Sequence, residues 1–146
     1  MKFLWIILAF LSGAFLPIQA GINSRLGKTI ESPVHASLIS FIIGAVCVFA
    51  YSTFTKQHVT WAGIKNAPGF VWLGGLLGAF YVTTIILAFP KIGPALTFGL
   101  VVAGQMILSV LLDHFDVLVA QQHSINLLRL AGIVLIIGGV IILRKF

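Results

Sequence analysis

Pro68-Gly69-Phe70-Val71-Trp72-Leu73-Gly74-Gly75-Leu76-Leu77-Gly78-Ala79-Phe80-Tyr81 opens an apolar run that continues to Phe89, and its reading decides the fold. The run matches the roughly 20 residues that an α-helix needs to cross the hydrocarbon core of a bilayer. Comparable runs lie at about 3–22, 34–54, 94–115 and 125–143, so five of them fill almost the whole chain. None alternates as a strand does, and in lipid only helices and closed barrels satisfy their own backbone groups. The expected fold is an all-α membrane protein. Five transmembrane helices form a single domain over residues 1–146, with no room for a soluble domain.

Composition agrees. Hydrophobic residues make up 60% of the chain and charged residues only 8%, against about 25% charge in a soluble domain. Mean hydropathy is +1.14. The net charge of +6 would point to nucleic acid in a soluble chain. Here the basic residues stand singly between apolar runs, where they anchor span ends at anionic headgroups. No basic face exists to neutralise phosphates, so nucleic acid is not an expected partner. Cys47 is alone in mid-span and reads as a small apolar residue. Lys2, the following apolar run and Ile18-Gln19-Ala20 resemble a signal peptide, but the run is long and the position of Ile18 lacks a small residue, so a retained first helix is expected.

The polar residues inside the spans are the candidate functional residues. Pro17 removes a backbone hydrogen bond from the first helix, which membranes tolerate where neighbours or cavity water satisfy the freed carbonyl. Ser12, Gln19 and Asn23 share one face beside it. A polar connection is expected from Asn23 to Ser32, with Ser32 as N-cap and Pro33 as first residue of the second helix. Gly74 and Gly78 form a GxxxG pattern that suits close helix packing. Tyr81 continues that face near mid-span and needs a hydrogen-bond partner there. Gln105 sits near the midpoint of the fourth span, and Asp113 near its end. Polar groups at such depth are costly unless they face the bundle interior or a solute path. Gln19, Asn23, Tyr81, Gln105 and Asp113 are therefore the expected substrate-binding residues, around one central cavity. Neutral donors and acceptors with one carboxylate favour a polar neutral or cationic solute over an anion.

No nucleophile–base pair, phosphate loop or HExxH motif occurs, so no enzyme is expected. Asp113, His114 and Asp116 lack metal-ligand spacing, since adjacent helical positions point about 100° apart. Neither a metal nor another cofactor is expected.

An odd number of spans places the termini on opposite sides. Lys2, Lys56, Lys65 and Arg129 then fall on one side, against Arg25, Lys28, Lys91, Arg144 and Lys145 on the other, which is four against five. Orientation follows this bias, and here the bias almost vanishes. The chain can be a fixed-orientation protein, or it can insert both ways and supply both halves of an inverted dimer. Inverted repeats around a midplane site are common in transporters.

The run Gly13-Ala-Phe-Leu-Pro-Ile-Gln-Ala-Gly-Ile-Asn-Ser-Arg-Leu-Gly27 resembles the opening of the small YdcZ-type branch of the drug/metabolite transporter superfamily. Leu73-Gly-Gly-Leu-Leu-Gly-Ala-Phe-Tyr-Val82, Gly93-Pro-Ala-Leu-Thr-Phe98, Val102-Ala-Gly-Gln105 and Asp113-His-Phe115 look similar in the same order. The resemblance implies a five-helix unit related to half of a ten-helix, inverted-repeat transporter. It implies a homodimer or a paired homologous subunit in a bacterial inner membrane, and no particular substrate. The family pattern carries a glycine after Asp-His-Phe, where this chain has Asp116. The small multidrug-resistance relatives use a carboxylate in the first helix for proton coupling. This chain has none there, and Gln19 is its strongest polar candidate.

Two function classes follow. One is a secondary transporter or exporter of a small polar or cationic molecule, working by alternating access at the interface of a homodimer, expected to be antiparallel. The other is a non-transporting scaffold or partner subunit of another membrane protein.

Overall fold

The computed structural model describes residues 2–145. Six α-helices occur there: α1 (Lys2–Thr29), α2 (Pro33–Phe54), α3 (Trp61–Asn66), α4 (Leu73–Ile92), α5 (Pro94–Phe115) and α6 (Leu127–Lys145). A 3-10 turn at Gly69–Trp72 leads into α4, and no strand is present among the described residues. Five segments are long and apolar enough to cross a membrane: α1, α2, Gly69–Ile92, α5 and α6.

The chain forms two compact units, one ending at Lys91 and one starting at Ile92. In the first unit α1 packs on α2. The buried face of α1 is Ala20, Asn23, Ser24 and Gly27, spaced i, i+3, i+4 and i+7 along one helical stripe. It meets Ala36 and Ser37, the buried residues of α2. Small side chains let the backbones approach, which is how helices gain packing in lipid. At Gly27 the approach is closest. A Cβ there would stand 3.2 Å from Pro33 Cα and 3.6 Å from Ala36 Cβ. α4 joins through its side chains. The Phe89 ring lies 3.5 Å from where a Cβ on Gly21 would stand, and the Phe41 ring 4.0 Å from the same point on Gly78. In the second unit α5 packs on α6, with Val140 Cγ2 only 3.1 Å from a would-be Cβ on Gly99.

Helix ends depart from the sequence reading in a consistent way. The polar stretch after Ile22 is mostly not a connection, because α1 runs two further turns to Thr29. Asn23 and Ser24 stay helical because they face α2 rather than water. The helix then ends in a Schellman motif: Glu31 N–H donates to Lys28 O at 3.3 Å and Ser32 N–H to Gly27 O at 2.9 Å. Glu31 takes the left-handed conformation this requires, with φ 54°. Lys56 does the same after α2, with φ 51°, and Gln57 N–H donates to Ser52 O at 2.9 Å. Ser32 caps α2 as expected, accepting from His35 N–H at 3.4 Å, with Pro33 first in the helix. α1 continues through Pro17 and α4 through Pro90. α4 reaches Ile92, and Gly93 alone separates it from α5, with φ +79°, a conformation open to glycine. α6 begins at Leu127 instead of Ile125, since the Asn126 side chain accepts from Arg129 N–H at 2.9 Å.

Candidate functional site

Gln19 and Asn23 come together with Ser40, which is not among the expected substrate-binding residues. Asn23 is 6% exposed, and its Nδ2 donates to Ser40 Oγ at 3.0 Å across the α1–α2 contact. Ser40 differs from other serines of α1 and α2. Ser12 donates to Ala9 O, Ser37 to Pro33 O and Ser52 to Phe49 O, each within its own helix. The Ser40 hydroxyl returns no bond to α2, so it accepts from Asn23 and keeps its own proton to donate.

Two grooves open beside this pair. The larger, about 460 Å³, is lined by Gln19, Ser40, Phe41, Gly44, Val48 and Val82, among others. The smaller, about 320 Å³, shares Gln19, Ser40 and Gly44 and adds Asn23, Ile22 and Ile43. Gln19 is exposed, and its amide has no hydrogen-bond partner among the described residues. Gln19 and Ser40 each lie about 5 Å along the helix axis from the middle of their own helices, at 1.5 Å per residue. An amide at such depth without a hydrogen bond costs roughly 2–7 kcal/mol, so it must meet water, a solute or another chain.

Tyr81 is half-buried in α4. Its hydroxyl oxygen is buried and has no hydrogen-bond partner among the described residues, so the partner expected from sequence is not found within the chain. Its neighbour Val82, not Tyr81, lines the larger groove. Gln105 lies on α5 in the second unit, exposed and without a hydrogen bond among the described residues. Among the described residues the GxxxG face is open: outside its own helix a Cβ on Gly74 would meet nothing within 4 Å, and one on Gly78 only the Phe41 ring. The tight glycine contacts are at Gly27 and Gly99 instead.

Asp113 has a partner in its own unit. Arg129 Nη1 lies 3.0 Å from its Oδ2, with both side chains 28% exposed. The same nitrogen donates to His123 O at 3.1 Å. Around this pair the loop after α5 is pinned to the helix end. His123 N–H donates to Asp113 O at 3.2 Å, Ile125 N–H to His114 Nδ1 at 3.3 Å, and Gln122 Nε2 to His114 O at 2.9 Å. Asp116 sits in the left-handed region at φ 55°, ψ 39°. That backbone explains why a glycine suits this position, and why aspartate, which tolerates the conformation better than most residues, can replace it. Among the described residues no three His, Cys, Asp or Glu side chains converge as metal ligands do.

The fold, with its five long apolar helices, defines a small multi-pass helical membrane protein. The chain belongs to the family described as "Putative inner membrane exporter, YdcZ", which matches residues 4–142. It is 29% identical over 147 residues to the inner membrane protein YdcZ of Escherichia coli strain K12, covering 94% of this chain and 95% of that protein. No solved structure matches. The protein thus belongs to an inner-membrane family, and five of its helices are long and apolar enough to cross that membrane.

Proposed function

We propose that the protein exports a small molecule across the inner membrane by alternating access, with two copies of the chain enclosing the path. The observation that carries this reading is Gln19, an exposed amide inside a span, without a hydrogen-bond partner among the described residues, lining two grooves. A solute path gives such a group a partner within the membrane. Gln105 adds a second exposed amide at the middle of α5. The family description supports an export role, and the relative in E. coli is an inner membrane protein.

A second copy is favoured because each span buries so little of itself. Only 6–11% of the apolar window of each spanning segment is buried within the chain. The near balance of Lys and Arg between the two sides supports antiparallel pairing. In such a pair Gln19 and Asn23 of each copy line the path from the first unit, and Gln105 is the candidate of the second unit.

The test is flux in proteoliposomes with accessibility labelling of both termini in intact cells. The reading expects solute flux that Gln105→Leu abolishes at normal expression, and each terminus on both faces of the membrane. Absence of flux for every solute tried, with a folded dimer, would return the protein to the scaffold reading. All C-termini on one face would eliminate the antiparallel form.

A further inference from the structure

We infer that the molecule carried in the α1–α2 groove is uncharged, with an apolar body and one group that both donates and accepts hydrogen bonds, such as a primary amide or an alcohol. The inference rests on the exporter reading and narrows it to a substrate class.

Charge decides first. Neither groove has a Lys, Arg, His, Asp or Glu in its lining. An ion taken from water into such surroundings loses its hydration and finds no counter-charge, so ions bind there only with a charged partner. The chain has three acidic residues. Glu31 and Asp116 stand at helix ends in left-handed turns, and Asp113, within α5, is held by Arg129 at 3.0 Å. No uncompensated carboxylate remains inside a span to receive a cation. A second copy adds only the same three acidic residues, none of them an uncompensated carboxylate inside a span.

The polar groups then select among neutral molecules. Gln19 offers a carbonyl acceptor and an amide donor, neither of them engaged among the described residues. Ser40 accepts from Asn23 Nδ2 and has its hydroxyl proton to donate. A solute amide or hydroxyl can answer both kinds of group. A carboxylate answers only donors and an ammonium only acceptors, and each leaves a groove group unmet. The remaining lining is apolar: Phe41, Val48 and Val82 in the larger groove, Ile22 and Ile43 in the smaller. The larger groove, about 460 Å³, is the size of an ordinary small-molecule site.

Three probes with one apolar body test the class: phenylacetamide, phenethylammonium and phenylacetate. Binding is measured by saturation-transfer NMR titration on purified full-length protein in nanodiscs of zwitterionic lipid. Phenylacetamide is expected to bind at least about tenfold tighter than either ion, the equivalent of one good hydrogen bond. Gln19→Leu and, independently, Ser40→Ala should each weaken it several-fold, so the result does not hang on one variant folding. Phenethylammonium or phenylacetate binding as tightly as the amide overturns the inference. So does amide binding that neither variant changes, which would mean lipid-like partitioning into the open groove. Absence of binding by all three also overturns it. Flux separates the two levels. Variant-sensitive amide binding without transport of any solute supports the class and overturns the exporter reading. Transport of the ammonium in preference to the amide supports export and overturns the class.

Discussion

Removing Arg129 tests whether Asp113 belongs to the substrate path or to the frame. The two side chains meet at 3.0 Å and are each 28% exposed. Their gross attraction is about 5 kcal/mol at an effective dielectric constant of 20. Desolvation of both groups offsets much of it. Fully exposed pairs contribute about 0–1 kcal/mol, and breaking a fully buried pair costs about 3–5 kcal/mol. Intermediate exposure places this pair at about 2 kcal/mol. Arg129→Gln also loses the charge-assisted bond to His123 O, 3.1 Å long, which helps hold the loop after α5. Arg129→Gln and Asp113→Asn should therefore each lower the unfolding free energy by about 2 kcal/mol. The double variant should cost little more than either single one, with a coupling of about 1.5 kcal/mol. Reversible unfolding of purified protein in bicelles by added SDS measures all four species. Solute flux by the double variant should persist, since no charge is then left unpaired. Single-variant costs that add to within about 0.5 kcal/mol would refute the coupling. A stable double variant without flux would return Asp113 to the path.

Gly99→Leu should lower the unfolding free energy by about 2 kcal/mol, because Val140 Cγ2 stands 3.1 Å from the first atom added; Val140→Ala in the same chain should restore part of that in the same titration. Asp116→Val should cost about 1–2 kcal/mol at its left-handed φ of 55°, whereas Asp116→Gly should leave stability equal or slightly higher. Gly74→Leu should change unfolding by less than about 0.5 kcal/mol, since nothing lies within 4 Å of it, yet it should reduce the cross-linked dimer fraction if the GxxxG face joins two copies; an unchanged fraction would assign that face to lipid.

The spans were legible in the sequence because crossing a bilayer is a local requirement of length and hydropathy. The second helix start was legible for the same kind of reason: Ser32 and Pro33 act within one turn. The end of α1 was not. Asn23 and Ser24 look like the beginning of a loop until α2 is alongside to bury them and Ser40 to receive the Asn23 amide. Of the candidate site residues, Gln19 and Asn23 were read on one helix face, and the structure sets Ser40 beside them. The sign available beforehand was that Ser40, like Ser37, interrupts the apolar run of α2, which many helix contacts also show. Asp113 was recognised as polar, but its neutralisation by Arg129, 16 positions further on, depends on how α5 and α6 fold back on each other.

Sequence by itself determined the class, the five spans and the family, since these follow from composition, run length and ordered motifs. Tertiary structure alone decided which faces meet. The helices are apolar on nearly every side, so periodicity carries little information about which stripe turns inward. In lipid no hydrophobic force favours one apolar face over another, and the choice falls to close packing and to a few hydrogen bonds. That is why Gly27 and Gly99, rather than the conspicuous Gly74 and Gly78, lie at the tight contacts within the chain. It is also why the Asn23–Ser40 bond and the Asp113–Arg129 pair emerge only when each helix stands beside its partner.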